Sequence, residues 1–252
     1  MKRDARDVIA PLLRTGLRER AVVTSDDDLW SRLQARPVQQ IVTLNLFDLH
    51  GYVSDPAQRA LVDRATAWTA DGFPLVRALR RAGGTVSRVT GSGLCQQLLR
   101  RPGSDGLQRI AVLGSDAATV AAFGGRLRSA GRSLVHQDTG HRDVWTQAQH
   151  LQALRAARPD LVLVAVGAPH GLPTAYALAA ALDDVPVMCV GAGVGMAAAT
   201  DRRAPTLVQR VHGEWLWRLA RDPARLWRRY VVDAAPLVLP LRRAADLVRA
   251  RP

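Results

Sequence analysis

Arg109-Ile110-Ala111-Val112-Leu113-Gly114, then Asp160-Leu161-Val162-Leu163-Val164-Ala165-Val166-Gly167, then Val185-Pro186-Val187-Met188-Cys189-Val190-Gly191: these three runs in residues 109–191 decide the fold. Each run is short, apolar throughout and closed by glycine. A strand with one wet face alternates apolar and polar residues. A strand buried on both faces does not, and that is the habit of parallel sheets. Helical patterns fill the intervals, over Ala117–Ala130 with Gly131 as its stop, Val144–Ala157 and Thr174–Leu182. Leu134–His136 reads as a further strand.

The upstream half repeats the alternation less cleanly. Gln40–Asn45 reads as a strand with a polar end, Pro56–Ala67 as a helix and Trp68–Asp71 as a short extended piece. Phe73–Arg81 reads as a helix broken by Gly83-Gly84, Arg88–Gly91 as a brief strand and turn, and Leu94–Arg101 as a helix. The class is therefore α/β: a Rossmann-like, mostly parallel sheet with helices on both faces. Residues 1–38 are polar and mixed, with a short helical pattern over Leu29–Leu33, and read as an extension packing on the body. The body spans 39–204. Residues 205–252 read as a helical appendage rich in arginine and tryptophan. Within it Asp222-Pro223 stops one helix and starts another, because proline suits a first helical position with aspartate as N-cap.

The 252-residue chain carries 35 Lys and Arg against 22 Asp and Glu, a net charge of +13. Lys2 is the only lysine, so this is an arginine charge. Such a surface attracts nucleotide phosphates, nucleic acid or an anionic membrane. No helix-turn-helix, RNP-type or zinc-finger pattern is present, so nucleic acid is not an expected partner. Cys95 and Cys189 lie far apart without ligand spacing, which favours a reducing compartment over a disulfide framework. Met1-Lys2-Arg3-Asp4 lacks the apolar core of a signal peptide. The apolar runs Leu161–Pro169 and Val185–Ala199 are too short or too glycine-rich to span a bilayer. Any membrane association is expected to be peripheral.

In open α/β sheets ligands bind at the carboxyl ends of the strands. Here those ends are Thr43-Leu44-Asn45, Gly114-Ser115-Asp116, Gly167-Ala168-Pro169 and Gly191-Ala192-Gly193. Gly191-Ala192-Gly193-Val194-Gly195 fails as a dinucleotide fingerprint, since Met196 stands at the third glycine and the segment lies late in the chain. It reads as a glycine-rich strand-to-helix turn. No serine-hydrolase elbow and no Walker A loop occurs, and the six histidines show no zinc spacing. Asp71, in Ala70-Asp71-Gly72, is open to two readings: a turn or helix cap, or a general base at the ligand edge.

Several of these pieces stand in one family's order. Thr43-Leu44-Asn45 resembles the Thr-x-Asn strand end of the WecB/TagA/CpsF glycosyltransferases, and Ala70-Asp71-Gly72 with Pro74 and Val76 resembles their Ala-Asp-Gly block. Arg88-Val89-Thr90-Gly91 and Gly167-Ala168-Pro169 resemble two further blocks. The string Arg203-Ala204-Pro205, Glu214-Trp215, Arg218-Leu219, Pro223, Arg225-Leu226 and Arg229-Tyr230 resembles the C-terminal signature. The resemblance covers about residues 40–232. It implies transfer of an N-acetylmannosamine-type sugar from a UDP-sugar to a polyprenyl-diphosphate-linked acceptor, in cell-surface polysaccharide or wall-polymer biosynthesis. Transfer would be inverting, at the cytoplasmic face of the membrane, with no cofactor and no obligatory metal, and is compatible with a homo-oligomer. Asp71 and Thr43 would be catalytic, Asp71 as general base. Asn45, Gly72, Arg88, Thr90, Gly91, Gly114, Gly167, Pro169, Gly191 and Gly193 would bind substrate. Arg218, Arg225 and Arg229 would meet the diphosphates. Three departures accompany the match. His170-Gly171-Leu172 stands where the family has a basic residue and Gln-Glu, Gly195-Met196-Ala197-Ala198 where it has Phe-Asp, and Gly93 where it has aspartate. They motivate the alternative of a catalytically inactive, nucleotide-sugar-binding or scaffold protein.

Overall fold

A computed structural model describes residues 4–182, 184–199, 219–220 and 223–250. Its strands are β1 (Val22–Val23), β2 (Ile41–Leu44), β3 (Ala67–Ala70), β4 (Arg109–Gly114), β5 (Ser133–Asp138), β6 (Leu161–Ala165) and β7 (Val187–Cys189). They form a three-stranded sheet, β1-β3-β2, and a four-stranded sheet, β5-β4-β6-β7, with every pairing parallel. The sheets meet at β2 and β7, where Thr43 Oγ1 donates to the Cys189 carbonyl at 3.3 Å.

One buried cluster runs under both sheets, through Val23, Ile41 and Ala67 and on through Ile110, Val112, Leu161, Leu163 and Met188. The alternate residues of β4 and β6, Ala111, Leu113, Val162 and Val164, enter a cluster on the opposite face. This two-sided burial is why the strands read as unbroken apolar runs.

Helices cover the two faces. In chain order they are α1 (Ala5–Arg18), α2 (Asp26–Gln34), α3 (Leu46–Ser54), α4 (Pro56–Arg64), α5 (Phe73–Arg81), α6 (Gly91–Arg100), α7 (Ala117–Ser129), α8 (Ala148–Ala156), α9 (Gly171–Ala181) and α10 (Gly193–Ala198). Near the C-terminus follow α11 (Pro223–Trp227), a π-helical turn over Arg228–Ala234, a 3₁₀ turn over Ala235–Leu237, and α12 (Val238–Ala250). Caps fix several starts: Asn45 accepts from the Phe47 and Asp48 amides, and Asp116 from Thr119.

The structure corrects several sequence expectations. The helix from Pro56 ends at Arg64 rather than Ala67, because Ala67 pairs with Ile41 in β3. Residues 88–90 are not a ladder strand, and α6 opens at Gly91, three residues before Leu94, because Thr90 caps it through the Gly93 amide at 2.8 Å. The helix read over Val144–Ala157 is a 3₁₀ turn, Arg142–Val144, followed by α8. The N-terminal residues hold more order than their polarity suggests. α1 buries Val8, Ile9, Leu12 and Leu13 despite Pro11, and β1 joins the first sheet. α1 packs on α12, whose Leu241, Ala244, Ala245 and Val248 share its core cluster. α12 also packs on α5, where Arg81 pairs with Asp246.

Candidate active site

The register sets the carboxyl ends of the strands along one edge. Leu44 lies beside Ala70, Gly114 beside Ala165 and Val164 beside Cys189. Asp71 leaves β3 at that edge, its amide donating to the Leu44 carbonyl at 2.7 Å. It is not the cap of α5. That position belongs to Gly72, at φ +129°, a backbone conformation that side chains disfavour. The Asp71 carboxylate instead faces Arg88, with Nε 3.6 Å from Oδ1. Arg88 lies over the Phe73 ring, 5.4 Å from its centroid. The two side chains are 29% and 30% exposed, so the pair is held yet open to a ligand.

Backbone pairing explains how a residue from the loop after α5 reaches this place. Ser87 N donates to Thr24 O at 2.8 Å and Val89 N to Ala70 O at 3.3 Å, which lays residues 87–89 across the exits of β1 and β3. α6 then starts against the end of β7. A Cβ on Gly91 would stand 2.6 Å from Val190 Cα and 3.0 Å from the Cys189 carbonyl, so only glycine allows the approach. α10 closes the contact from the other side, since a Cβ on Gly193 would stand 3.0 Å from Ser92 Cα. Thr90 and Ser92 hydroxyls lie 3.1 Å apart on this turn.

Asp71, Gly72, Arg88, Thr90, Gly91 and Gly193 are thus brought together, with Asn45 adjacent through the Leu44 pairing. Asn45 spends its side-chain oxygen on capping α3, and its backbone amide donates to Asp48 Oδ2 at 3.2 Å. Thr43 is tied by its hydroxyl to β7. Gly114, Gly167, Pro169 and Gly191 lie farther along the same edge, at the ends of β4, β6 and β7. Arg218 lies outside the described residues, as do Arg203, Ala204, Pro205, Glu214 and Trp215; for Arg225 and Arg229 only the backbone is described.

One family model matches this chain over residues 19–250, described as the glycosyl transferase WecG/TagA/CpsF family. The chain belongs to that family. It is a glycosyltransferase, and the Asp71–Arg88 edge lies inside the matched region. In this WecG/TagA/CpsF member the glycine-rich segment after β7 is the strand-to-helix turn expected from sequence.

A second titratable group sits apart, at the end of β5. His150 Nδ1 lies 2.9 Å from Asp138 Oδ2. Burial raises the Asp138 carboxyl, but the Gly140 amide, the nearby Trp145 indole and His150 outweigh it and hold it below the ordinary carboxylate range. Burial pushes the His136 imidazole below its ordinary value, against the attraction of Asp138. Asp138 stands where a Rossmann-like fold carries its ribose-binding acid, but here that carboxylate is engaged inside the protein. Cys95 is buried, which pushes its thiol up to about 12 and leaves it unreactive. Among the described residues no group of three or more His, Cys, Asp or Glu is arranged to hold a metal ion, and no helix is long and apolar enough to cross a membrane.

Two polar residues at the edge carried no sequence signal. Ser92 is hidden in a glycine-rich stretch. Asp26 opens the run Asp26-Asp27-Asp28, which reads as an ordinary acidic helix start.

Proposed function

We propose that this glycosyltransferase moves an N-acetylmannosamine-type sugar from a UDP-sugar to a polyprenyl-diphosphate-linked acceptor at the inner face of the plasma membrane, in surface-polysaccharide or wall-polymer assembly. The observation that carries the reading is the half-open Asp71–Arg88 pair at the ligand edge of a family member. Asp71 takes the proton from the acceptor hydroxyl as its oxygen bonds to the anomeric carbon. The bond from that carbon to the β-phosphate oxygen breaks, and UDP leaves with the electron pair from the opposite face, inverting the centre. Arg88 orients the carboxylate. Arginines of the C-terminal segment (Arg218, Arg225 and Arg229) neutralise the diphosphates, since guanidinium binds phosphate oxygens in pairs.

The C-terminal segment supports the membrane half of the reading. Trp227, Val232 and Leu239 are 57%, 54% and 53% exposed, and exposed Arg228, Arg242 and Arg243 lie in the same segment. Exposed apolar side chains beside arginine suit the interface of an anionic bilayer.

The test is UDP release from a panel of UDP-sugars with a short-chain polyprenyl-diphosphate-GlcNAc acceptor and liposomes. Acceptor-dependent release with one donor is the expected result. No release across the panel, from folded protein that still binds UDP, favours the non-catalytic alternative.

A further inference from the structure

We propose that Asp26 is a specificity residue of this transferase, accepting a hydrogen bond from a hydroxyl of the donor's sugar. The inference rests on the transferase reading above. β1 pairs with β3 through Val22–Trp68 and Val23–Thr69, so the chain leaving β1 emerges beside Ala70 and Asp71. Asp26 is the first residue of α2, three positions past the strand. Residues 87–89 bridge the two exits, and this brings the first turn of α6 over Asp26. A Cβ on Gly93 would stand 3.8 Å from Asp26 Oδ1 and 3.0 Å from Thr90 Oγ1. Asp26, Thr90, Ser92, Arg88 and Asp71 therefore form one arc around the carboxyl ends of β1 and β3.

The three aspartates of this run differ in what they hold. Asp27 pairs with Arg101. Asp28 accepts from the Thr24 amide and hydroxyl at 2.8 and 3.0 Å and from Arg32 at 2.7 Å. Burial raises the Asp28 carboxyl, but the Arg32 and Thr24 bonds prevail and hold it below its ordinary value. Both are spent on structure. Among the described residues Asp26 accepts one hydrogen bond, from Gln97 Nε2 to Oδ2 at 3.2 Å. That bond fixes the carboxylate from one side and leaves Oδ1 toward the α6 turn.

The chemistry selects the ligand group. A carboxylate has about four acceptor sites and no donor when ionised. Beside a phosphate it repels. Beside a hydroxyl it makes a charge-assisted bond stronger than a neutral one. The arc therefore divides its labour, with the cation Arg88 at one position and an acceptor for a polyol at the other. The Thr90 and Ser92 hydroxyls extend the polyol side.

The test compares binding of UDP-N-acetylmannosamine with binding of UDP, by calorimetry, in the wild-type chain and in Asp26→Ala and Asp26→Asn. Binding needs no turnover, so the readout survives slow chemistry. Wild-type protein is expected to hold the UDP-sugar more tightly than UDP. Asp26→Ala is expected to weaken the UDP-sugar roughly 10–100-fold, the scale of a hydrogen bond to a charged group. UDP itself should bind both forms alike, and Asp26→Asn should fall between. A UDP-sugar bound no better than UDP by the wild type, or equally well by wild type and Asp26→Ala, overturns the assignment. Loss of UDP affinity in Asp26→Ala does the same, because a folding defect then explains the change. A wild-type chain that binds neither ligand fails earlier and sinks the transferase reading itself.

Discussion

Adding one methyl group at Gly91 and one at Gly125 should give opposite results. Both glycines are helical, Gly91 at the start of α6 and Gly125 inside α7. A Cβ on Gly125 meets nothing within 4 Å. Gly125→Ala should therefore stabilise the fold by about 0.5–1 kcal/mol through lost unfolded-state freedom alone. A Cβ on Gly91 falls 2.6 Å from Val190 Cα. Carbon atoms rest about 3.5–4.0 Å apart, so α6 must retreat from β7 by about 1 Å. Val190 Cα and the Cys189 carbonyl are backbone and cannot swing aside as a side chain would. Overpacking of this kind costs about 1–3 kcal/mol. At about 2–4 °C per kcal/mol for a chain of this size, Gly91→Ala should melt roughly 2–12 °C lower. The functional effect is larger. Thr90 is the adjoining residue and Arg88 lies two before it, so the same retreat moves the partner of Asp71. A misplacement of about 1 Å at a reacting centre costs on the order of 100-fold in rate. Thermal melts and UDP-release kinetics on the two variants decide the matter. A Gly91→Ala protein that melts with Gly125→Ala and turns over at the wild-type rate would refute the packing of α6 on β7 as the element that positions Arg88.

Asp71→Asn keeps the shape and removes the base. Its rate should fall about 10²–10⁴-fold, while stability moves by no more than about 1 kcal/mol, because the pair with Arg88 is part-exposed; undiminished turnover would remove Asp71 from the mechanism. Arg132 is 2% exposed and donates to the carbonyls of Leu107, Leu98, Arg101 and Pro102. Arg132→Met leaves those carbonyls without their donor and should cost about 1.5–3 kcal/mol in denaturant unfolding, the range for losing hydrogen bonds from a charged group, and a loss under 1 kcal/mol would contradict this role. His136 is depressed in the folded state, so the unfolded chain takes up its proton first. Stability from this residue is complete above about pH 6.5 and falls as pH drops below it toward the folded value. His136→Gln should flatten that part of a stability–pH curve, and an unchanged slope would exclude it as the source. Val232→Asp with Leu239→Asp should abolish sedimentation with phosphatidylglycerol vesicles while leaving UDP binding intact. Retained vesicle binding would sink the lipid role of this face.

β4, β6 and β7 of the second sheet were legible because they are largely buried, which writes them as apolar runs closed by glycine, whereas the edge strand β5 is part-exposed and left a weaker pattern. α1 was not legible. Its stripe of Val8, Ile9, Leu12 and Leu13 has helical spacing, but Pro11 within it and the charged Arg6, Asp7 and Arg14 around it obscure it, and its partner α12 lies far along the chain. β1, two residues long, carries no period at all. Asp71 stood out through the resemblance and its place before Gly72. Its pairing with Arg88 depends on the backbone bonds of Ser87 and Val89 to strands far apart in sequence, which no local pattern records. Asp26 was masked by a plausible local reading, since an acidic run at a helix start satisfies the dipole without further purpose.

The packing of α1 on α12 has a consequence for the chain's birth. The apolar stripe of α1 is made long before Leu241, Ala244, Ala245 and Val248, which cover it. At roughly 5–20 residues per second the ribosome leaves that stripe without its final cover for roughly 10–50 s. Closure of the first core cluster therefore waits for α12, and a chain halted before α12 emerges carries an uncovered apolar helix for chaperones and proteases to find.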